Sequence, residues 1–214
     1  MANVGKLILM RCPESNDDAL GLWSGIRNVS LSKKGKLDAH KFAEVLRDQN
    51  FDLVYYSTLR RAKQTLKEIQ KDLNLTQTKI KKTAVLDERD LGAYTGKDKW
   101  KVRAEIGAQA WTDLRQGWDF PPPDGESLKD VSERVIPWYT QVVLPQLLAG
   151  KDIMLISHDV PLQTLRKYLE NINQENVRLM EMPLGKIYIY TPTRTGRAKT
   201  RTTRQVQIGK TYRY

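Results

Sequence analysis

Short apolar runs alternate with longer amphipathic segments along this chain, and each apolar run ends abruptly in polar residues. Runs of this length are too short for buried helices and are typical of strands inside a sheet. We predict strands at residues 7–10, 53–56, 79–86, 152–157 and 186–190. Strands that alternate with helices along a chain predict an α/β fold.

Between these strands, apolar residues recur with the spacing of amphipathic helices. Ser127 and Asp130 have the spacing of a capping box at the start of the longest helix, which Pro137 and Pro145 should bend. Helices are predicted at residues 32–50, 59–73, 127–149 and 161–171, with one or two over 97–116 and a short one near 175–180.

Residues that can bind anions lie at the predicted ends of the strands. Arg11 and Cys12 follow the first strand, and His158 follows the fourth. Arg60 and Arg61 fall in the first turn of the helix that Ser57 should cap, where cations oppose the helix dipole and therefore indicate a bound anion. Because α/β sheets bind ligands at the carboxyl ends of their strands, we predict an anion site at this edge.

Two further segments border the same edge. Ser24 and Gly25 lie in a polar, glycine-interrupted loop after the first strand. Glu88 lies among the four charged residues 87–90 after the third strand, and a carboxylate at a strand end is a candidate general acid or base. The other charges in this run are expected to face solvent.

The composition is that of a folded intracellular protein. At 214 residues and 40% hydrophobic content, the chain is long enough for one large domain. No apolar run approaches the length of a membrane span, no signal peptide is apparent, and the single cysteine, Cys12, agrees with a reducing compartment. We therefore expect the cytoplasm or the mitochondrial matrix. No cofactor and no metal site is predicted.

The net charge of +11 is concentrated at the C-terminus, since residues 191–214 hold seven basic residues and no acidic one. We predict a domain over residues 1–190 and a basic tail over residues 191–214. The tail is either solvated or a docking arm for RNA or an acidic protein surface. Apolar residues alternate with polar ones in it, which would suit a strand that pairs with a partner's sheet. These apolar residues are Val206, Ile208, Tyr212 and Tyr214.

The chain from Leu7 to Tyr190 resembles the cofactor-dependent phosphoglycerate mutases of the histidine phosphatase superfamily. The motifs that carry the resemblance are Arg11-Cys12-Pro13-Glu14-Ser15, Leu31-Ser32 with Gly35, Tyr56-Ser57-Thr58-Leu59-Arg60-Arg61-Ala62, Leu86-Asp87-Glu88-Arg89 with Gly92, Gly125-Glu126-Ser127-Leu128-Lys129-Asp130, Glu133-Arg134-Val135-Ile136-Pro137 and Ser157-His158. The resemblance implies a three-layer fold, in which helices flank a mixed, mostly parallel sheet. It also implies a phosphate pocket at the carboxyl ends of the strands.

The resemblance also implies roles for individual residues. Arg11, Arg61 and His158 match residues that bind the phosphoryl group, and Glu88 matches the residue that handles the proton. Cys12 stands where the family has the histidine that is phosphorylated. The remaining predicted phosphate-binding residues are Ser24, Gly25 and Lys99.

Several positions depart from the family pattern. A thiol at Cys12 reaches roughly 2 Å less far than an imidazole nitrogen, and phosphoryl transfer depends on such placement. Pro13 removes a backbone N–H, and Asp159-Val160 replaces a Gly-Asn pair, which adds a carboxylate. Asp18 replaces an asparagine, and Thr112-Asp113 is aligned with two substrate-binding arginines. Ordinary mutase substrates are therefore expected to bind poorly.

These departures leave three hypotheses. The leading one is a pseudoenzyme with a binding or structural role, docked by its basic tail in a larger complex. The alternative is an active mutase or phosphatase that uses Cys12, whose thiol pKa Arg11 and Arg61 would lower. The third is a remnant pocket that binds phosphate or sulfate without turnover through Arg11, Arg61, Lys99 and His158. The family often forms oligomers, which would allow dimers or tetramers here.

Overall fold

A single six-stranded sheet organises the fold. We describe residues 4–180 and 182–208 of a computed structural model. The strands are β1 Leu7–Arg11, β2 Leu53–Ser57, β3 Lys79–Thr83, β4 Ile153–Ser157, β5 Lys186–Pro192 and β6 Ala198–Gln205, in the order β3-β2-β4-β1-β5-β6. The four strands from β3 to β1 are parallel, and β5 and β6 complete the sheet in antiparallel pairings. The predicted mixed, mostly parallel sheet is confirmed.

Helices cover both faces of this sheet. They are α1 Asn16–Ala19, α2 Lys33–Glu44, α3 Arg60–Ile69, α4 Lys99–Gln116, α5 Leu128–Trp138, α6 Leu144–Leu148 and α7 Asp159–Leu169. A π-helical segment, Tyr139–Val143, joins α5 to α6, and 3₁₀ turns lie at Ala84–Leu86, Gly92–Tyr94 and Glu175–Leu179. Helices α2 and α3 pack on one face and α5, α6 and α7 on the other, which gives the predicted three layers.

The apolar run at the start of the chain forms the centre of the core. Leu7 and Leu9 of β1 pack toward α5 and α7, whereas Ile8 and Met10 pack toward α2 and α3. All four side chains are fully buried because helices cover both faces of the parallel strands. The apolar run is therefore continuous rather than alternating with polar residues.

Most predicted helices are present, with ends that differ by a few residues. The capping box at Ser127 and Asp130 is formed, as predicted. The helix predicted over residues 127–149 is continuous, but it contains a π-helical segment just after Pro137. Proline has no N–H with which to form a regular helical hydrogen bond. Ser57 is not the N-cap of α3, because Leu59 takes that position. In α4, Gly107 has a φ of 81°, so two helical segments meet at a kink.

The C-terminal segment differs most from its prediction. Residues 198–205 form β6, which pairs with β5 of the same chain, and Val206 is buried in the core below. The expectation that residues 191 onward form a tail separate from the sheet is therefore wrong for the part that the structure describes. The predicted boundary at residue 190 divides a β-hairpin. Tyr212 and Tyr214 lie outside the described residues.

The sheet brings together strand ends that are far apart in sequence. Arg11 at the end of β1 lies in register with Ser157 at the end of β4, and the Cys12 N–H donates to the Ser157 carbonyl at 2.8 Å. Ser57 ends β2 on the other side of β4. The predicted site residues therefore converge at one edge. Within residues 4–180 and 182–208, no helix is long and apolar enough to cross a membrane.

Candidate functional site

A cavity of about 940 Å³ opens at the carboxyl ends of the parallel strands. All eight residues that we predicted for the site line it, namely Arg11, Cys12, Ser24, Gly25, Arg61, Glu88, Lys99 and His158. The residues that we predicted from separate segments therefore lie together at one cavity. The roles of these residues remain predictions, and the contacts below determine which roles are chemically reasonable.

A buried hydrogen-bonded chain holds His158 neutral. Arg61 Nε donates to His158 Nδ1 at 3.1 Å, so this nitrogen must be an acceptor, and His158 Nε2 lies 2.7 Å from Ser57 Oγ. Ser57 in turn donates to Asp87 at 2.7 Å. Burial, together with the charge of Arg61, holds the pKa of His158 well below its usual value. The imidazole is therefore uncharged at neutral pH.

Arg61 itself is buried and strongly tethered. Its two terminal nitrogens donate to the carbonyls of Arg27 and Gly25, each at 2.9 Å. These bonds fix the guanidinium at the cavity wall beside His158. They also explain why a cation is tolerated in the first turn of α3, since carbonyl oxygens rather than a bound anion accept most of its hydrogen bonds.

Cys12 lines the floor of the cavity and is almost fully buried against the apolar layer. Its exposed fraction is 4%, and it packs with the cluster between the sheet and helices α2 and α3. Burial raises the pKa of the Cys12 thiol to about 11, although Arg61 and, more weakly, Arg11 act to lower it. The expectation that the arginines would favour a thiolate is therefore wrong, because loss of solvent outweighs their attraction.

Two carboxylates lie among the cations at the centre of the site. Asp159 Oδ2 is 3.1 Å from Arg11 Nη1, which also donates to the Met182 carbonyl at 2.5 Å. Glu88 accepts from the backbone N–H groups of Asp159 and Val160, at 3.1 and 3.2 Å, and thus occupies the N-terminus of α7. Burial and the nearby Asp159 raise the pKa of Glu88.

A second ion pair lies on the α4 side. Lys99 Nζ is 3.5 Å from Asp18 Oδ1, and burial lowers the pKa of Lys99 to about 8 despite this neighbour. Burial opposes ionisation of Asp18 as well, but Lys99 and hydrogen bonds from Ser15 hold its pKa below the usual value. Lys99 is thus partly neutralised by a side chain of the protein itself.

Thr112 and Asp113, which we matched to two substrate-binding arginines, lie away from the cavity. Thr112 donates to the Ala108 carbonyl within α4, and Asp113 pairs with Arg178 at 2.9 Å, so neither lines the cavity. Arg115 and Gln116 line it instead. Trp111, Arg115 and Gln116 lie on the face of α4 that meets the cavity, and Thr112 and Asp113 lie on another face. One arginine therefore remains on this wall.

Sequence reasoning missed the apolar walls and one further cation. Trp23 stacks on Trp111 with a ring separation of 4.8 Å, and Met180, Met182 and Val206 line the opposite side. Trp23 precedes Ser24-Gly25, so its place in that loop was a usable signal. Arg89 also lines the cavity, and its Nε has no hydrogen-bond partner among the described residues. Its place in the Glu88 motif could have identified it.

Comparison with known proteins gives the family. The profile of the histidine phosphatase superfamily, branch 1, matches residues 7–204. The chain belongs to this superfamily. The match extends through β6, in agreement with the sheet.

Histidine phosphatase relatives include phosphoglycerate mutases. The 2,3-bisphosphoglycerate-dependent phosphoglycerate mutases of Nitrobacter winogradskyi and Bradyrhizobium diazoefficiens are each 33% identical to this chain over 186 residues, which cover 86% of it and 90% of the relative. These names describe the relatives, and they support the family resemblance drawn from the motifs.

Solved phosphatase structures share the fold. The mycobacterial glucosyl-3-phosphoglycerate phosphatase superposes with a TM-score of 0.77 at 21% identity, covering 97% of this chain and 100% of that one. The α-ribazole phosphatase of Shigella flexneri gives 0.76 at 24% identity, covering 94% and 95%. At these identities the likeness establishes architecture alone.

Of the described residues, no group of three or more His, Cys, Asp or Glu is arranged to hold a metal.

Proposed function

We propose that this chain is a catalytically inactive member of the histidine phosphatase superfamily whose cavity binds an organic anion without phosphoryl transfer. The observation that carries the proposal is the burial of Cys12 against apolar side chains at the cavity floor, which raises the pKa of its thiol to about 11. A cysteine attacks as the thiolate, and this thiol stays protonated at neutral pH.

The rest of the cavity favours binding over chemistry. Arg11 and Lys99 each have a carboxylate of the protein within ion-pair distance, and burial together with Arg61 holds His158 neutral. Phosphoryl transfer depends on cations that meet the charge developing on the phosphoryl oxygens. Here part of that positive charge is already compensated. Arg89 and Arg115 also line the cavity, so it still favours an anion.

The competing function is an active mutase or phosphatase that uses Cys12. The names of the relatives favour it, because the mutases match most of the chain. It would require the Cys12 thiol to lose its proton during each cycle, although burial raises its pKa to about 11. That cost makes it the weaker candidate.

Turnover of three-carbon phosphate esters by the purified protein tests the proposal. Wild type, Cys12→Ser and Cys12→His should be compared for product release and for incorporation of label from radiolabelled bisphosphoglycerate, with melting temperature as the control for folding. We expect no label on wild type and no difference in turnover between wild type and Cys12→Ser. A robust wild-type rate that Cys12→Ser abolishes would show that the protein is a working enzyme.

We also propose a docking role for the basic C-terminal segment, limited to the charges that are not paired within the fold. Arg201 pairs with Glu170 at 2.7 Å, and Arg204 pairs with Asp48, so these two charges are used within the fold. Lys199 is exposed on the edge strand β6. Deletion of residues 191–214 would remove a strand, so Lys199→Glu is the better test. Loss of a co-purifying RNA or acidic protein in that variant is the expected result, and unchanged recovery would contradict docking through this strand.

A further inference from the structure

The Arg11–Asp159 pair places a carboxylate of the protein at the anion-binding end of the cavity. Asp159 is the first residue of α7, and its Oδ2 lies 3.1 Å from Arg11 Nη1. Its side chain is 38% exposed, so it borders the open cavity rather than the core. A ligand anion that approaches Arg11 therefore meets a fixed negative charge at the same point.

The other charged groups around Asp159 determine how large this effect is. Arg61 lies on α3 beside His158, and Arg89 lies in the loop next to Glu88. Glu88 accepts the Asp159 N–H, so the two carboxylates are neighbours. Three arginines thus face two carboxylates, which leaves an excess of one positive charge around Asp159. Lys99 is paired with Asp18, and Arg115 lies on the α4 wall against the ring of Trp111. Around Asp159, a single negative charge on the ligand compensates the excess.

We propose that Asp159 is a specificity-determining residue, which makes the cavity select singly charged organic anions over phosphate-monoester dianions. The ligand class is a sulfate ester, a phosphodiester or a carboxylate. Each additional negative charge on the ligand is repelled by Asp159 across a few ångströms in a partly desolvated cleft, where Coulomb interactions are stronger than in water. This inference rests on the proposed binding function, but its test has a separate readout.

A pair of ligands with the same shape and different charge provides the test. Para-nitrophenyl sulfate and para-nitrophenyl phosphate share the aryl group and the tetrahedral head, but at about pH 8 the sulfate carries one charge and the phosphate two, since the second phosphate pKa is about 6. Calorimetric titration of the full chain measures both affinities. We expect wild type to prefer the sulfate ester by at least about tenfold.

Variants of matched chemistry identify the residue responsible. Asp159→Asn should remove or reverse the preference, whereas Asp159→Glu should keep it. Asp113→Asn is the control, because it deletes the same charge from a surface pair with Arg178 outside the cavity and should leave the preference unchanged. Lowering the pH to about 5 offers a test without mutation, because the phosphate ester then also becomes a monoanion and the preference should shrink.

The outcomes separate this inference from the proposed function. Equal or tighter wild-type binding of the phosphate ester at pH 8 would overturn the inference, and so would binding of neither ester or an unchanged preference in Asp159→Asn. Release of nitrophenolate that depends on Cys12 would instead overturn catalytic inactivity. In that case, the inhibition constant of the sulfate ester could be compared with the KM for the phosphate ester. This comparison would still show whether Asp159 sets the charge preference.

Discussion

The ionisation of Cys12 can be tested directly, because it is the only cysteine in the chain. The perturbation is alkylation by a small thiol reagent, with mass spectrometry to count the label. Only the thiolate reacts, so the rate reports the thiol pKa and its access. The native protein is compared with the same chain unfolded in urea, which serves as its own reference.

The expected magnitude follows from the burial of the thiol. With a pKa of about 11, roughly one Cys12 side chain in a thousand is ionised at pH 8, against about a quarter for an ordinary cysteine with a pKa near 8.5. A more basic thiolate is intrinsically more reactive, which restores about tenfold. The native protein should therefore react at least about twentyfold more slowly than the unfolded chain, and restricted access would slow it further.

The pH dependence separates ionisation from access. The native rate should continue to rise about tenfold per pH unit to about pH 10, whereas the unfolded rate levels off above about pH 9. Sub-denaturing urea identifies reaction through opening, because it accelerates alkylation only when the protein must open. A native rate that levels off near pH 8 and does not respond to urea would refute a buried, protonated Cys12, and with it the main support for catalytic inactivity.

Three further predictions concern stability. The unfolded chain protonates His158 near its usual pKa of about 6.5, whereas the folded protein keeps it neutral. Below that pH, the free energy of unfolding of wild type should therefore fall by up to about 1.4 kcal/mol per pH unit relative to His158→Gln. Urea unfolding at two pH values measures this difference, and parallel pH profiles of the two proteins would contradict it. Ending the chain after Pro192 removes β6 and the buried Val206, which should lower the free energy of unfolding by more than about 4 kcal/mol. Lys199→Glu, as the control, should fold normally. An unchanged melting temperature for the shortened chain would argue against β6. Arg134→Leu removes hydrogen bonds to the carbonyls of Val85, Asp87 and Glu88, so it should lower the free energy of unfolding by about 2–4 kcal/mol in chemical denaturation. Lys129→Ala, which breaks an exposed pair with Asp119, should have no effect. Equal effects of the two variants would show that Arg134 does not hold the Glu88 loop.

The amino-acid sequence predicted the elements whose signals are local. The strand at β1 could be read from four consecutive apolar residues, and the start of α5 from the Ser127–Asp130 spacing, because caps and short apolar runs act over a few residues. The convergence of Arg11, Glu88 and His158 also followed, since parallel strands place their carboxyl ends at one edge. β6 was missed because its exposed, polar pattern has no apolar run.

The sequence by itself determined that Arg11, Glu88 and His158 reach one cavity, because each lies at the end of a recognisable element. Only the tertiary structure decided what those groups can do there. The pKa of Cys12 depends on apolar side chains from several elements, and the charge of Arg11 is offset by Asp159 from a segment far along the chain. The packing of α4 places Arg115 rather than Asp113 on the cavity wall. Burial and ion pairing arise between distant segments, so no local pattern records them.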